Sequence, residues 1–287
     1  MSAQLLPGAP VSEAVFEALK PRIDALVAAG HPPGLGTILV GDDGASAGYV
    51  RVKHAKCAEL GLESHHEELP ADATQADLFA AVQRFNDNPA VDAMLIQHPI
   101  PGYLDYEAAL EQMDPDKDAD GLHPVNLGRL ALSIPAPVPA TPAGIEALRA
   151  HYEIPVAGRH VVILGRGFTL GRPLSMLLSQ KRPTANAAVT VVHTGVPDWS
   201  EYTRRADILV AAAGVPGIVQ PDHLNPGSVV IGGGVRYEGR RLLPDVDERC
   251  EEVAGWITPR VGGVGPTTIA MLFRNLVEVA ERRAGLS

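Results

Sequence analysis

Cysteine is nearly absent from this chain: Cys57 and Cys250 are the only two among 287 residues. One pair in a chain of this length is no disulfide framework, so a reducing cytoplasm is the expected compartment. Aromatic residues are scarce at 5 %, and Ala, Gly, Val, Leu and Pro dominate, which suits a Gly-rich α/β protein better than a β-sandwich. No apolar run approaches the roughly 18–20 residues of a membrane span. The opening MSAQLLPGAP lacks a basic start followed by an apolar stretch, so no signal peptide is expected. A basic face is missing as well. The net charge of −10 argues against a nucleic-acid partner, although local Lys and Arg can still line a pocket for an anionic small molecule. No metal is expected either. Asp116, Asp118, Asp120 and Gly121 begin like a calcium loop, but Leu127 holds the twelfth position and Pro124 interrupts the run.

What the chain does have is alternation. LGTILVG (35–41), ESHHEEL (63–69) and VDAMLIQ (91–97) read as strands. Between them lie a helical stretch from Ala45 to Leu60, stopped by Gly61, and one starting at the cap Thr74 and ending near Asn86. This β-α-β-α-β pattern is that of a parallel sheet covered by helices. Residues 114–144 are rich in Asp, Pro and Gly and read as linker and site loops. A helix is expected over Ala143–His151. A second series of strands follows: RHVVILG (159–165), AVTVVH (188–193), DILVAAAG (207–214) and SVVIGGG (228–234). Helices are expected at Arg172–Gln180 and Thr267–Arg283. His65 and His66, adjacent on a strand, point to opposite sides and read as surface residues. The fold class is α/β in two domains: 1–140, rejoined by the terminal helix 267–285, and 141–266.

Gly165, Gly167 and Gly171 stand between a strand and a helix. Glycines there let the backbone turn tightly and approach a pyrophosphate resting on the helix N-terminus. The spacing G-x-G-x-x-x-G is one residue longer than the usual fingerprint, and an ordinary tight turn is the alternative. The next strand ends VVHTG (191–195), without the acid that NAD sites place on the ribose. Arg166 and Arg172 flank the turn, and a guanidinium can pair with a 2′-phosphate. NADP is therefore the expected cofactor, near Arg166, His193 and Thr194.

In the first domain Ser46, Tyr49 and Lys53 fall at i, i+3 and i+7, on one face of a helix. That helix opens at the carboxyl end of a strand, where α/β proteins bind ligands. Gln97 closes another strand of the same sheet and needs a hydrogen-bond partner, for which Lys53 is a candidate. The acids of DPDKDADG (114–121) are either a solvated loop or include one substrate reader.

Taken together, VGDDGASAGYVRVKHAK, LIQHPIP, DKDADGLHPVN, PATPAGIEAL, GRGFTLGRP and VGGVGPTTIAML resemble, in order and spacing, the bifunctional methylenetetrahydrofolate dehydrogenase/cyclohydrolase family. The resemblance spans almost the whole chain. It implies oxidation of 5,10-methylenetetrahydrofolate with NADP, then hydrolysis to 10-formyltetrahydrofolate. It further implies an N-terminal catalytic domain, a Rossmann-like cofactor domain, an active cleft between them and a homodimer joined through the cofactor domains. Lys53, Tyr49, Gln97 and Asp120 match the family's catalytic and folate-reading positions. Ser46, Gly262, Gly263 and Pro266 fall in its substrate segments, and Gly214 and Val235 join the cofactor set. One surviving activity, or ligand binding without turnover, are the alternatives within this resemblance; a shikimate-dehydrogenase-like enzyme is a more distant one.

Departures from the family pattern cluster in the cofactor half. Gly167 stands where a serine is usual, HTG lacks a basic residue, GGG (232–234) replaces DVG, and Arg260 and Val261 replace Val and Pro. Arg260 is left open between a phosphate contact and a folate-tail contact. His98, in place of an apolar residue beside Gln97, reads as a packing variant.

Overall fold

The computed structural model describes residues 2–41, 43–238 and 241–286. In chain order its strands are β1 (Gln4–Leu5), β2 (Gly34–Val40), β3 (Glu63–Leu69), β4 (Ala93–Ile96), β5 (His160–Leu164), β6 (Ala188–Val192), β7 (Ile208–Ala211), β8 (Val229–Gly232), β9 (Val235–Glu238), β10 (Arg241–Pro244) and β11 (Trp256–Ile257). Two compact units divide the chain. The lysine unit holds Val15–Arg129, Ala136–Ala140 and Leu272–Ser287; the glycine-turn unit holds Met1–Ala14, Leu130–Pro135 and Thr141–Met271. Helices Ala9–Ala28 and Val264–Ala284 each give residues to both.

The lysine unit is built on a three-stranded parallel sheet in the order β3-β2-β4. Every residue of the central strand β2 is buried, as befits a parallel strand covered on both faces. Helix Gly44–Leu60 begins where Asp43 accepts the Ser46 N–H at 2.7 Å and ends at Gly61, whose φ of 69° only glycine adopts readily. Helix Gln75–Asp87 starts from a capping box in which Thr74 and Asp77 satisfy each other's backbone N–H. Helix Gly44–Leu60 connects β2 to its neighbour β3, and helix Gln75–Asp87 crosses from β3 to β4 on the far side of β2; all three strands are parallel, so their carboxyl ends lie on one edge.

In the glycine-turn unit six parallel strands run in the order β1-β11-β8-β7-β5-β6. Alternate side chains of each strand go to opposite faces. Val161, Ile163, Ile208, Val210 and Ile231 fill one core. Val162, Leu164, Leu209, Ala211 and Val230 fill the other. The first strand of the series, β5, lies between β6 and β7, so the order reverses there and leaves a crevice at the carboxyl ends.

Region 114–144 carries more structure than its composition suggests. Helix Pro124–Ala131 forms inside it, with Pro124 in the first position, where its missing N–H is no loss. The next helix starts at Ala140, three residues ahead of expectation. Helix Ala9–Ala28, with Pro21 inside it, and the hairpin β9-β10 lie outside the expected elements. His66 is exposed, in keeping with a surface residue, and its Nδ1 also lies 2.9 Å from the hydroxyl of buried Thr37, with its ring edge-on to His54. Among the described residues no helix is long and apolar enough to cross a membrane.

Candidate active site

Helix Gly44–Leu60 carries Ser46, Tyr49 and Lys53 along one face. Ser46 is buried, and its hydroxyl has no hydrogen-bond partner among the described residues. Tyr49 is half-buried. Lys53 is only 6 % exposed, and its Nζ donates to Gln97 Oε1 at 2.9 Å. Gln97 continues the β4 ladder by donating its N–H to Ile38 O. Its Nε2 donates to the carbonyl of His98, which leaves Oε1 turned to the lysine. Burial holds the Lys53 pKa below the ordinary lysine value, and the Asp120 carboxylate opposes that shift. His98 packs its ring edge-on against Tyr106 at 5.1 Å, a packing role.

The loop that carries Asp120 is anchored by a different acid. Asp118 is buried and accepts from Gly121 N (2.8 Å), His123 N (2.7 Å) and Asn126 Nδ2 (3.0 Å). Gly121 has φ +72°, and a Cβ on it would strike the backbone at Val138 and Pro139. Asn275 donates to both Ala119 O and Val138 O at 2.9 Å. The four acids left open by the sequence therefore separate: Asp114 accepts the Asp116 N–H at 2.9 Å, Asp116 is exposed, Asp118 is an anchor, and Asp120 interacts electrostatically with Lys53. Burial raises the Asp120 pKa, and the lysine pulls it back. A neutral donor-acceptor (Gln97), an amine of depressed basicity (Lys53) and a carboxyl (Asp120) are thus grouped for proton transfer and for reading N–H donors.

In the other unit the glycine turn closes on itself. Gly165 has φ +133°, and a side chain on it would collide with Ala212 O. One on Gly171 would collide with Gly165 O, whereas a Cβ on Gly167 would meet nothing. Leu170 gives no side-chain cap to helix Gly171–Leu178; the Arg172 N–H turns back to Gly167 O at 3.1 Å, Pro173 has no N–H, and the glycine turn is thereby drawn tight against the helix start. This cradle fits a dinucleotide pyrophosphate. Arg166 and Arg172 are exposed on either side of the turn. His193 and Thr194 follow β6, and His193 Nδ1 accepts the Gly195 N–H. Gly214 (φ +65°) follows β7, and Val235 lies just past β8, 40 % exposed. All of these stand at carboxyl ends of the parallel strands, the edge where such sheets bind ligands.

Gly262, Gly263 and Pro266 also belong to this unit. Gly262 has φ +79° and accepts the Gly8 N–H, and Pro266 lies in the first turn of helix Val264–Ala284. Arg260 is engaged elsewhere: it pairs with Glu248 at 3.1 Å and donates to Leu242 O, so it braces the segment after β10. Asp118 and Asp245 are both buried acids that hold loops; sequence reasoning named Asp118 only as one acid of the 114–121 run and did not single out Asp245. The only available signal was an acid at the edge of a Gly-rich segment.

Known proteins match this arrangement along the whole chain. The tetrahydrofolate dehydrogenase/cyclohydrolase catalytic-domain model matches residues 6–120, and the NAD(P)-binding-domain model of the same family matches 139–284. Bifunctional protein FolD 1 of Salinispora tropica is 63 % identical over 280 residues, 98 % of this chain and 92 % of its own length. The bifunctional dehydrogenase/cyclohydrolase of Campylobacter jejuni superposes with a TM-score of 0.92 at 36 % identity, covering 98 % of this chain and all of its own. The methylenetetrahydrofolate dehydrogenase-cyclohydrolase of Trypanosoma brucei, solved with NADP and an inhibitor, gives 0.91 at 35 % identity and 99 % coverage of each chain. This chain belongs to the tetrahydrofolate dehydrogenase/cyclohydrolase family.

Proposed function

We propose that Lys53, Tyr49, Gln97 and Asp120 carry the chemistry of this enzyme. The chain is an NADP-dependent methylenetetrahydrofolate dehydrogenase and methenyltetrahydrofolate cyclohydrolase. It oxidises 5,10-methylenetetrahydrofolate to the methenyl form and hydrolyses that product to 10-formyltetrahydrofolate. NADP, when bound, supplies the acceptor for the hydride. The observation that carries the residue assignment is the buried 2.9 Å bond from Lys53 to a neutral glutamine. Gln97 orients the amine without adding charge, so burial keeps it a usable base. In hydrolysis that amine manages the proton of the water attacking the methenyl carbon. Tyr49, four residues earlier on the same helix, offers a ring face to the aromatic part of folate and a hydroxyl to the reacting water. Asp120 accepts parallel hydrogen bonds from the pterin amino group and ring N–H. Ser46, Gly262, Gly263 and Pro266 line the substrate. Gly165, Gly167, Gly171, Arg166, Arg172, His193, Thr194, Gly214 and Val235 bind NADP, with Arg166 on the 2′-phosphate. On this assignment the lysine unit forms the folate domain, and the glycine-turn unit, which takes in Met1–Ala14 as well as Thr141–Met271, forms the NADP domain.

The test follows the two steps separately with purified protein. Reduced nicotinamide is measured from 5,10-methylenetetrahydrofolate with NADP or NAD, and hydrolysis from 5,10-methenyltetrahydrofolate alone. The assignment expects Lys53→Met to abolish hydrolysis while folate still binds. Hydrolysis at the native rate in that variant would overturn it.

A cytoplasmic homodimer serving purine biosynthesis completes the reading. Buried, unpaired Cys57 and Cys250 suit a reducing compartment. Among the described residues strand β6 pairs only with β5, and it exposes Val191, an edge on which a second copy can dock. Light scattering of the purified chain tests the dimer directly.

A further inference from the structure

Asp245 is fully buried in the glycine-turn unit, and no lysine, arginine or histidine pairs with it among the described residues. Its Oδ2 instead accepts two successive backbone N–H groups, Ala213 at 2.7 Å and Gly214 at 3.0 Å, and the Val215 N–H adds to them. Gly214 has φ +65°. Consecutive N–H groups converging through a left-handed residue form a nest that holds an anion, and here a side chain of the protein itself fills it. Oδ1 has no partner.

The glycines around this carboxylate are shaped to it. A Cβ on Gly234 would fall on Asp245 Oδ2, and one on Gly233 would press on Leu170. Both glycines donate their N–H to Ala211 O, and Asp245 N donates to Gly234 O at 3.1 Å. The GGG stretch that departs from the family pattern is therefore the space in which Asp245 sits. The held turn in turn abuts the glycine cradle: a Cβ on Gly165 would strike Ala212 O, and Ala212 N donates to Leu164 O.

We propose that Asp245 is a positioning residue of the NADP site, its carboxylate fixing the backbone turn 213–215 against which the glycine cradle is set. This rests on the assignment of Gly165 and Gly214 to NADP binding. Asp245 touches no ligand itself; it acts through the turn. A buried carboxylate with no cationic partner is costly to retain even when backbone N–H groups hold it, so its presence calls for a gain that an apolar residue would not give, and the fixed turn is that gain.

The test compares Asp245→Asn, Asp245→Ser and Asp245→Ala in the full chain. Two readouts are taken: equilibrium NADP binding by titration calorimetry, and hydrolysis of methenyltetrahydrofolate without nucleotide. Asn keeps an oxygen able to accept the same N–H groups and binds NADP nearly as wild type does. Ser falls between, and Ala loses binding by about tenfold or more, as expected when a turn loses buried hydrogen bonds. Hydrolysis stays within about twofold, because that step uses no nicotinamide. Wild-type affinity in the Ser or Ala chain overturns the proposal, as does parallel loss of hydrolysis and binding, which marks a general structural role. Should the Ala chain fail to fold, the ranking of Asn over Ser decides. Failure of wild type itself to bind NADP would instead overturn the cofactor assignment.

Discussion

Lys53 and Gln97 meet through a hydrogen bond of 2.9 Å at a buried position, and the partner is neutral although lysine most often pairs with an acid. Burial depresses the basicity of the amine, and the neutral amide does not reverse it. Gln97→Glu is nearly isosteric but places a carboxylate against Nζ, which raises the lysine pKa. A base works only above its pKa, so the rising limb of the hydrolysis pH profile moves to higher pH. At neutral pH the rate falls about tenfold for each unit the limb moves. A profile that stays in place would show that Lys53 is not the titrating base.

Asp118→Asn separates the anchor from the reader. The carboxylate accepts from Gly121 N and His123 N with different oxygens, and an amide offers only one. Leaving a buried N–H unpaired costs about 1–3 kcal/mol. The folate KM should rise through misplacement of Asp120, while NADP affinity, carried by the other unit, holds. Thermal melting and the two binding constants check this. If NADP affinity fell as far as folate affinity, the anchoring role would be lost.

Much of this architecture was legible because its signals are local. β2 is a short apolar run bounded by glycine, Thr74 and Gly61 are helix caps that need no tertiary context, and the strand-turn-helix at Gly165 carries its own geometry. The spacing of Lys53 on its helix and the polar Gln97 at the end of an apolar strand were enough to suggest their pairing. Helix Pro124–Ala131 was hidden in a Pro- and Asp-rich stretch because tertiary contacts, such as Asn126 on Asp118, stabilise it more than propensity does. Helix Ala9–Ala28 was obscured by its internal Pro21. Asp245 was invisible for a different reason: what it does depends on the turn 213–215, thirty residues earlier in sequence.

Lys117 supplies a stability test remote from the chemistry. Its Nζ donates to Phe85 O, Asn86 O and Asn88 O, at 2.8, 2.8 and 2.9 Å, closing the carboxyl end of helix Gln75–Asp87. Lys117→Met keeps the stem and removes the donors, leaving helix-end carbonyls without a partner. The cost is about 1–3 kcal/mol. It appears as a lower denaturant midpoint at unchanged slope, with kcat for both steps unaltered. A midpoint equal to wild type would mean that water replaces the ammonium at no cost.

Arg166 tests how the enzyme tells NADP from NAD. The strand β6 ends at Val192 and leads into His193 and Thr194, so no acid there takes the ribose hydroxyls. Arg166, exposed within the glycine turn, is the cation closest in sequence to the cradle. Because the guanidinium can read only the 2′-phosphate that NAD lacks, Arg166→Ala should raise KM for NADP by about tenfold or more and leave KM for NAD nearly constant. Steady-state assays with each nucleotide at saturating methylenetetrahydrofolate give the ratio directly. Equal increases for both would move the phosphate contact to Arg172 or to the His193–Thr194 turn. The corresponding variant Arg172→Ala would then show the selective effect.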